Sequence, residues 1–378
     1  MMPFNGVFLD KDGIERDLTE LSFGPKIDPL INPAVLDGVF GNGVFDAAQV
    51  TVTLFGTSDT ATMKYSGGVY VGSGKVVAIP FSTSRPALID INNMSMTPFG
   101  TSSATAGKYY GGVYIGNGKI VAIPYNTSRP ALININDLSV TSFGTIDSAT
   151  SKYSGGVYTG DGKIVAIPFS ASRPALIDTN DMSVTPFGEP ETGTVRYFGG
   201  VYIGGGKAIA MPRDASRPAL IDVNDMSVTP FGAAVTSNTK YFGGVYIGGG
   251  KAVALPGSIS QPALINASDM SVTPFGEPEI RNLKYYGGVY VGNGKVVAIP
   301  NGAFRPTLVD TNNMSVTPFG TEDTATSKYQ GGVYIGNGKV VAIPYNASQP
   351  MLIDLGPGYR PAQPLSEAAL LSAWFNNF

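Results

Sequence analysis

A 44-residue repeat dominates the sequence. The motif Lys/Arg-Tyr-x-Gly-Gly-Val-Tyr occurs seven times, with no insertion between copies. Repeats of this length are typical of stacked or ring-like architectures, in which each copy forms one unit and buries its apolar surface against its neighbours. The sequence therefore predicts seven equal structural units. The motifs begin at Lys64, Lys108, Lys152, Arg196, Lys240, Lys284 and Lys328.

Each unit has the pattern of a four-stranded antiparallel meander. In the second unit, the β-rich segments 111–116 and 119–124 flank an Asn-Gly dipeptide, which favours a tight hairpin. Two further segments, 130–135 and 138–143, are separated by an Asn-Asp pair that favours an Asx-type turn. The unit therefore predicts four short strands joined by turns.

The second segment of each unit is apolar at successive positions, as in 76–79. A sheet with one wet face would alternate apolar and polar residues, so this pattern indicates that both faces of every sheet are covered. Radial packing of four-stranded sheets achieves this. We therefore predict an all-β fold, a seven-bladed β-propeller of 44-residue four-stranded blades.

The seventh unit lacks a fourth strand, and a matching strand precedes the first unit. Residues 50–56 have the sequence of a fourth strand, and Gly56 is in register with the glycines that end the other fourth strands. This strand is predicted to complete blade 7 and to remove an open sheet edge. The predicted domains are an N-terminal attachment segment at 1–49, the propeller at 50–355 and a C-terminal tail at 356–378.

Composition excludes several kinds of chemistry. The 49 glycines and 28 prolines make about one residue in five, which rules out a mostly helical protein. The chain has no histidine and no cysteine, which excludes a histidine-based triad, a cysteine nucleophile, disulfides and the usual zinc and haem sites. The net charge of −3 argues against nucleic acid as a partner. No membrane insertion, metal or cofactor is predicted.

The repeat resembles a known class of propeller. Gly-Gly-Val-Tyr-Ile-Gly-Asn-Gly-Lys-Val-Val-Ala-Ile-Pro, followed by Leu-Ile-Asp-Ile-Asn-Asp-Met-Ser-Val-Thr, looks like YVTN and NHL repeats over about residues 50–355. The Trp-Asp dipeptide of another large propeller family is absent, since the one tryptophan, Trp374, lies outside the repeats. This resemblance implies a fold and leaves the activity open, because propellers host many functions.

A second resemblance concerns the source of the chain. Its almost identical repeats and the segment 9–15, Leu-Asp-Lys-Asp-Gly-Ile-Glu, are similar to bacteriophage virion proteins, chiefly tail or head-surface components. The N-terminus has neither the basic region nor the apolar region of a signal peptide. The resemblance implies a protein made in the host cytoplasm and located on the virion surface.

The two faces of the predicted disc differ in how far the copies diverge. The uniform face carries the Gly-x-Gly-Lys turn between first and second strands, which recurs in all seven units. The variable face carries the inter-blade loops, such as 57–63, 189–195 and 277–283, where nearly all divergence falls. Strand direction places both non-repeat segments on the uniform face. This layout predicts attachment through the uniform face and recognition through the variable face.

Three repeat positions on the variable face carry candidate ligand-binding residues. After the Lys-Tyr pair, four copies have an aromatic residue where the others have Ser or Gln, so the fold is not expected to need a ring there. Aromatic rings interleaved with arginines suit stacking on sugars and bonding to their hydroxyls or carboxylates. A host-surface glycan or protein is therefore the predicted partner. The predicted ligand-binding residues are Tyr110, Phe198, Phe242 and Tyr286 after the Lys-Tyr pair, Phe81, Tyr125, Phe169 and Tyr345 after the second strand, and Arg85, Arg129, Arg173, Arg217 and Arg305 before the following proline.

Other interpretations of these features stay open. The arginines also suit a structural turn in which each side chain pairs with the next blade. A purely structural virion or scaffold protein would have inert variable loops and a uniform face buried in an assembly. The segments 1–49 and 356–378 would contact other virion or scaffold proteins, and an amphipathic helix is predicted within the tail, at 366–375.

The acids that break the repeat are weak candidates for catalysis. They lie in pairs at 189 and 191, at 277 and 279, and at 322 and 323, all in inter-blade loops. A carboxylate pair can hydrolyse a glycoside, but acids in exposed loops are usually just solvated. Calcium at the Asx turns is a further weak alternative, since these turns need no metal. The sequence predicts no catalytic residue and a protein that is not an enzyme.

Overall fold

The computed structural model describes residues 7–9, 15–17 and 45–359. Two short strands, β1 (Val7–Leu9) and β2 (Glu15–Asp17), pair antiparallel. Short 3-10 helices at Ala47–Gln49 and Pro357–Tyr359 flank the repeats. No helix in the described part of the chain is long and apolar enough to cross a membrane.

The repeats form seven four-stranded antiparallel sheets, which confirms the predicted seven-bladed propeller. The strands of blades 1 to 3 are β4 (Tyr65–Gly72), β5 (Lys75–Pro80), β6 (Ala87–Asp90) and β7 (Ser95–Pro98); β8 (Tyr109–Gly116), β9 (Lys119–Pro124), β10 (Ala131–Asn134) and β11 (Ser139–Ser142); and β12 (Tyr153–Gly160), β13 (Lys163–Pro168), β14 (Ala175–Asp178) and β15 (Ser183–Pro186).

Blades 4 to 7 repeat the same order. Their strands are β16 (Tyr197–Gly204), β17 (Lys207–Pro212), β18 (Ala219–Asp222) and β19 (Ser227–Pro230); β20 (Tyr241–Gly248), β21 (Lys251–Pro256), β22 (Ala263–Asn266) and β23 (Ser271–Pro274); β24 (Tyr285–Gly292), β25 (Lys295–Pro300), β26 (Thr307–Asp310) and β27 (Ser315–Pro318); and β28 (Tyr329–Tyr334), β29 (Lys339–Pro344), β30 (Met351–Asp354) and β3 (Thr51–Leu54).

Blade 3 shows why the local sequence forms this meander. At the hairpin between β12 and β13, Asp161 has φ 50° and Gly162 has φ 77°. A type I′ turn needs positive φ at both central residues, and Asp-Gly supplies it at low cost. The pairing register shifts between Tyr153 and Gly156, where Gly155 has φ 91°. The innermost strand therefore carries a bulge at its first glycine.

Burial is greatest in the second strand of each blade and falls toward the outer strand. The second strand is buried along its apolar length, with Ile164, Val165, Ala166 and Ile167 all inaccessible to solvent. The third strand alternates between buried and half-buried residues, and the fourth is half-buried or exposed. The core therefore consists of layers between neighbouring blades, which explains the continuous apolar pattern of the second strands.

The Gly-Gly pair of each first strand allows the blades to meet at the axis. A Cβ built on Gly111 would lie 3.4 Å from Cα of Gly155 in the next blade, and one on Gly331 would lie 3.1 Å from Cα of Gly67. The second glycine leaves a hole for a side chain of the preceding blade: a Cβ on Gly156 would lie 2.7 Å from Cδ1 of Ile123. These contacts recur from blade to blade and close the ring.

The seventh blade takes its outer strand from the start of the propeller. Strand β3 pairs antiparallel with β30, with Thr51 opposite Asp354 and Leu54 opposite Met351. Phe55, at the end of this strand, is buried. Because β3 covers the edge of β30, blade 7 has the same four strands as the other six blades.

The chain enters and leaves the propeller on the uniform face. Leu355 N donates to Gly338 O, at the turn between the first and second strands of blade 7. A Cβ on Gly356 would lie 2.9 Å from Cβ of Gln49, so the two ends are neighbours. Most of the predicted attachment segment and the helix predicted at 366–375 lie outside the described residues.

Candidate ligand-binding face

The aromatic residues that follow the Lys-Tyr pairs meet across the propeller axis. Phe198 contacts Tyr110 and Tyr286, two blades away on either side, with ring centroids 5.1 and 5.4 Å apart. Phe242 stacks on Tyr286 at 4.1 Å and contacts Phe198 edge-on at 4.8 Å. Because the first strands lie closest to the axis, one repeat position from several blades converges here. We call Tyr110, Phe198, Phe242 and Tyr286 the aromatic plug.

A second set of rings packs around the plug. Phe81 contacts Tyr110, Tyr125 and Tyr345, with centroids between 5.5 and 5.9 Å apart. Phe169 contacts both Tyr125 and Phe198. The structure therefore brings together all eight aromatic residues that were predicted from the sequence to bind a ligand.

Most of this aromatic surface is used within the protein. Phe242 is 1% exposed and Phe198 is 9% exposed, whereas Tyr110 and Tyr286 are half-buried. Burial raises the pKa of Tyr286 to about 12. The expectation that the fold needs no ring at this position needs correction for Phe198 and Phe242, because these two rings are buried against each other.

Three blades have small or polar residues at the plug position, and these are buried as well. Ser154 Oγ donates to Tyr197 O of the next blade at 2.9 Å. Tyr110 donates its hydroxyl hydrogen to Oε1 of Gln330 at 3.2 Å. The non-aromatic members therefore bond to their neighbours beside the four rings.

Arg213 occupies the repeat position that carries an aromatic residue in the second set of rings, and its charged group contacts two of the rings. Its guanidinium lies over the rings of Phe169 and Phe242, 5.5 and 5.4 Å from their centroids. It also forms an ion pair with Asp214 at 3.1 Å. This cation–π arrangement is the place where the structure combines arginine with the rings.

The five predicted arginines are not interleaved with the rings in this way. The equivalent side chains in blades 5 and 7 are Gln261 and Gln349, which donate to the carbonyls of Gly276 and Gly56 at the ends of the outer strands. This repeat position therefore lies near the outer strand, farther from the axis than the rings. Arg85 and Arg217 are exposed, Arg129, Arg173 and Arg305 are half-buried, and Arg305 pairs with Glu322 at 3.2 Å.

Six of the seven first strands are preceded by a buried lysine, and these lysines hold the loops of the variable face. Lys152 Nζ donates to Ala149 O at 2.6 Å, to Thr127 O at 2.7 Å and to Asp147 O at 3.3 Å. Lys284 and Lys328 make the equivalent three bonds. Each ammonium therefore joins an inter-blade loop to the loop after the second strand of the preceding blade. Burial lowers the pKa of these lysines.

Blade 4 departs from this pattern because Arg196 stands where the other blades have lysine. Its guanidinium donates to Ala171 O, to Ser172 O at 3.3 Å and to Glu191 Oε2 at 3.1 Å. Beside this pair lies an open cleft of about 280 Å³, lined in part by Glu191, Arg196, Tyr197 and Arg217. The cleft could not be predicted from the sequence, because Arg196 replaces lysine, another basic residue.

Three of the six acids that break the repeat form ion pairs with arginines. Glu191 binds Arg196, Glu279 binds Arg281 at 3.3 Å, and Glu322 binds Arg305. Within the described ranges, no group of three or more metal-ligating side chains is close enough to hold an ion.

Solved structures superpose on most of the chain. Virginiamycin B lyase from Staphylococcus aureus is 13% identical, with a TM-score of 0.65 over 81% of this chain and 99% of that one. A WD40 β-propeller domain is 10% identical, with a TM-score of 0.62 over 80% and 96%. The extracellular domain of a putative one-component system from B. thetaiotaomicron is 8% identical, with a TM-score of 0.60 over 82% of this chain and 40% of that one. No protein-family model and no curated protein matches the chain.

The prediction that the chain is not an enzyme is wrong, because enzymes are among the structures that superpose on it. The superposing structures include lyases as well as extracellular domains, so this architecture carries catalysis as well as binding. One lyase structure is a catalytically inactive histidine-to-alanine variant with quinupristin, and that histidine has no counterpart in a chain without histidine. None of these comparisons supports a bacteriophage origin. At such low identities they show that this chain has the β-propeller fold.

Proposed function

We propose that this chain is a recognition propeller that binds a surface-displayed glycan or protein through its variable face. The segments that precede and follow the propeller, and join it at the uniform face, would attach it to a larger assembly such as a virion surface. The observation that carries the proposal is the restriction of sequence divergence to one face of an otherwise repeated molecule. Binding to an asymmetric target needs side chains that differ between blades, whereas packing of equal blades does not.

The exposure of the variable loops supports this proposal. Ile280 is 93% exposed and Ile146 is 69% exposed, and both lie at inter-blade loops of the variable face. Large apolar side chains at such exposure contribute nothing to the core and are available to a partner. The loop backbones are held by the buried lysines, so their side chains are free to differ without changing the fold.

Loop exchange within the chain tests the proposal. Residues 277–283 would be replaced by the sequence of 321–327, which has the same length and repeat position. The backbone bonds from Lys284 would remain, since Lys328 makes the same bonds to its own loop. The labelled full chain and the loop variant would be applied to an array of immobilised glycans and to immobilised cell-surface protein extracts. We expect the parent to bind and the variant to lose at least about tenfold in affinity, with an unchanged melting temperature.

A matched control changes the opposite face. Gly205 and Gly249 become Asn, the residue found at this turn position in blades 2, 6 and 7, where Asn117 has a similar φ of 50°. This variant is expected to bind like the parent. If parent, loop variant and control all fail to bind, the recognition proposal is refuted, and the purely structural assembly role is preferred.

A further inference from the structure

The cleft beside Arg196 combines residues that break the repeat, such as Gly193 and Arg196, with repeated residues, such as Tyr197 and Arg217. It lies between the loop that joins blades 3 and 4 and the loop after the second strand of blade 4. Gly193 occupies a loop position where the equivalent residues of blades 2 and 3 are Thr105 and Ala149. The atom nearest to a Cβ built there would be Arg196 Cδ, at 3.9 Å. The missing side chain therefore leaves space above the arginine.

Asp214 forms part of one wall of the cleft, and its carboxylate is already bonded within the protein. Asp214 Oδ2 pairs with Arg213, and its Oδ1 accepts from Thr239 N at 2.6 Å. Both carboxylate oxygens are thus engaged within the protein. Asp214 is therefore a fixed part of the wall and offers little to a ligand.

The other polar groups keep unused bonding capacity. Glu191 accepts from Arg196 and from the Tyr197 hydroxyl through Oε2, and its Oε1 has no partner within residues 45–359. Arg196 is 5% exposed, and its buried Nε has no hydrogen-bond partner among the same residues. Arg217 is exposed and, in that range, has no ion-pair partner. The cleft therefore offers one carboxylate oxygen as acceptor and guanidinium groups as donors.

The Tyr197 hydroxyl acts as a hydrogen-bond donor in this site. Burial and the adjacent Glu191 carboxylate raise the pKa of the Tyr197 hydroxyl, so the phenol stays protonated and donates. The Glu191 carboxylate is held by the Arg196 guanidinium at 3.1 Å. A ligand would therefore meet the oriented Glu191 carboxylate on one side and the exposed Arg217 guanidinium on the other.

We propose that this cleft binds one sugar-acid residue, a hydroxyl-rich ring that carries a carboxylate. A ring hydroxyl donates to Glu191 Oε1, and the ligand carboxylate pairs with the Arg217 guanidinium. Pockets for drug-sized ligands measure about 300–1,000 Å³, so a cleft of about 280 Å³ suits a single sugar ring. The inference rests on the proposed function, because it names the ligand class for one part of the variable face.

Direct binding of free sugars to the full chain tests the inference. Galacturonate and glucuronate are the probes, galactose and glucose are their neutral counterparts, and binding is followed by calorimetry and ligand-observed NMR. The test variant is Arg217→Gln, because Gln261 and Gln349 occupy this repeat position in two other blades. The control variant is Arg173→Gln, the same change at the same position of blade 3, outside the cleft.

We expect a sugar acid to bind the parent, and Arg217→Gln to weaken that binding about tenfold or more. Arg173→Gln should bind like the parent, and both variants should keep the parent melting temperature. Glu191→Gln should weaken the sugar acid and its neutral counterpart alike, since it acts on the hydroxyl. The inference is overturned if no sugar acid binds the parent, if neutral sugars bind equally well, or if both arginine variants behave alike. Glycan-array binding that survives Arg217→Gln would refute the cleft and leave the recognition proposal standing.

Discussion

Replacing Lys152 by Met is expected to weaken the attachment of the loop between blades 2 and 3. The side chain is 1% exposed, and its ammonium donates to three backbone carbonyls of two loops. Met keeps the length of the apolar stem and removes the donor. The variant therefore isolates the contribution of the charged hydrogen bonds from that of packing.

The magnitude follows from the number and kind of bonds lost. A hydrogen bond to a charged group contributes about 1.5–3 kcal/mol, and each buried carbonyl left without a donor costs about 1–3 kcal/mol. Because Met also removes the cost of burying the ammonium, and because loop carbonyls can turn toward water, the lower end of that range applies. With three carbonyls affected at about 1 kcal/mol each, we expect the free energy of unfolding to fall by about 3 kcal/mol.

Urea unfolding and limited proteolysis measure the two consequences. The unfolding midpoint should decrease, and the loop at 145–151 should become a preferred cleavage site in the native protein. Lys119→Met is the matched control, because Lys119 is exposed on the uniform face. Lys152→Arg should keep most of the stability, since Arg196 fills this position in blade 4. Equal midpoints for Lys152→Met and Lys119→Met would refute the role of the buried lysines.

Three further outcomes are expected. Deleting residues 1–56 exposes the edge of β30, so size-exclusion chromatography should show dimers or aggregates, and an equally stable monomer would contradict ring closure. Phe242→Ser should lower the free energy of unfolding by about 3–5 kcal/mol, because the ring is buried in the aromatic plug, and an unchanged urea midpoint would contradict that packing. Burial raises the pKa of Tyr65, Tyr153 and Tyr241 to about 12. The stability that these protonated phenols contribute is complete below their ordinary pKa near 10 and is lost as the pH rises through 12. The absorbance of their tyrosinate form should therefore rise together with the loss of circular dichroism, and not before it.

The sequence alone determined the blade and the number of blades. Spacing of 44 residues, the hairpin dipeptides and the continuous apolar second strands depend on hydrogen bonding and burial within a few dozen residues, and these act similarly in every copy. The Gly-Gly pair lies in the innermost strand, because a residue without Cβ is needed where blades approach within van der Waals contact.

Only the tertiary structure decided how far each candidate ligand-binding side chain lies from the propeller axis. The repeat pattern does not encode this distance. Phe198 and Tyr286 belong to blades 4 and 6, yet they touch because the first strands converge on the axis. Arg217, in the same blade as Phe198, lies near the outer strand and is exposed, so the predicted mixture of rings and arginines does not form there. The bond between Arg196 and Glu191 likewise depends on how an inter-blade loop folds over the next strand. Contacts across blades are set by the closed ring, whereas the sequence of each blade specifies mainly the contacts within it.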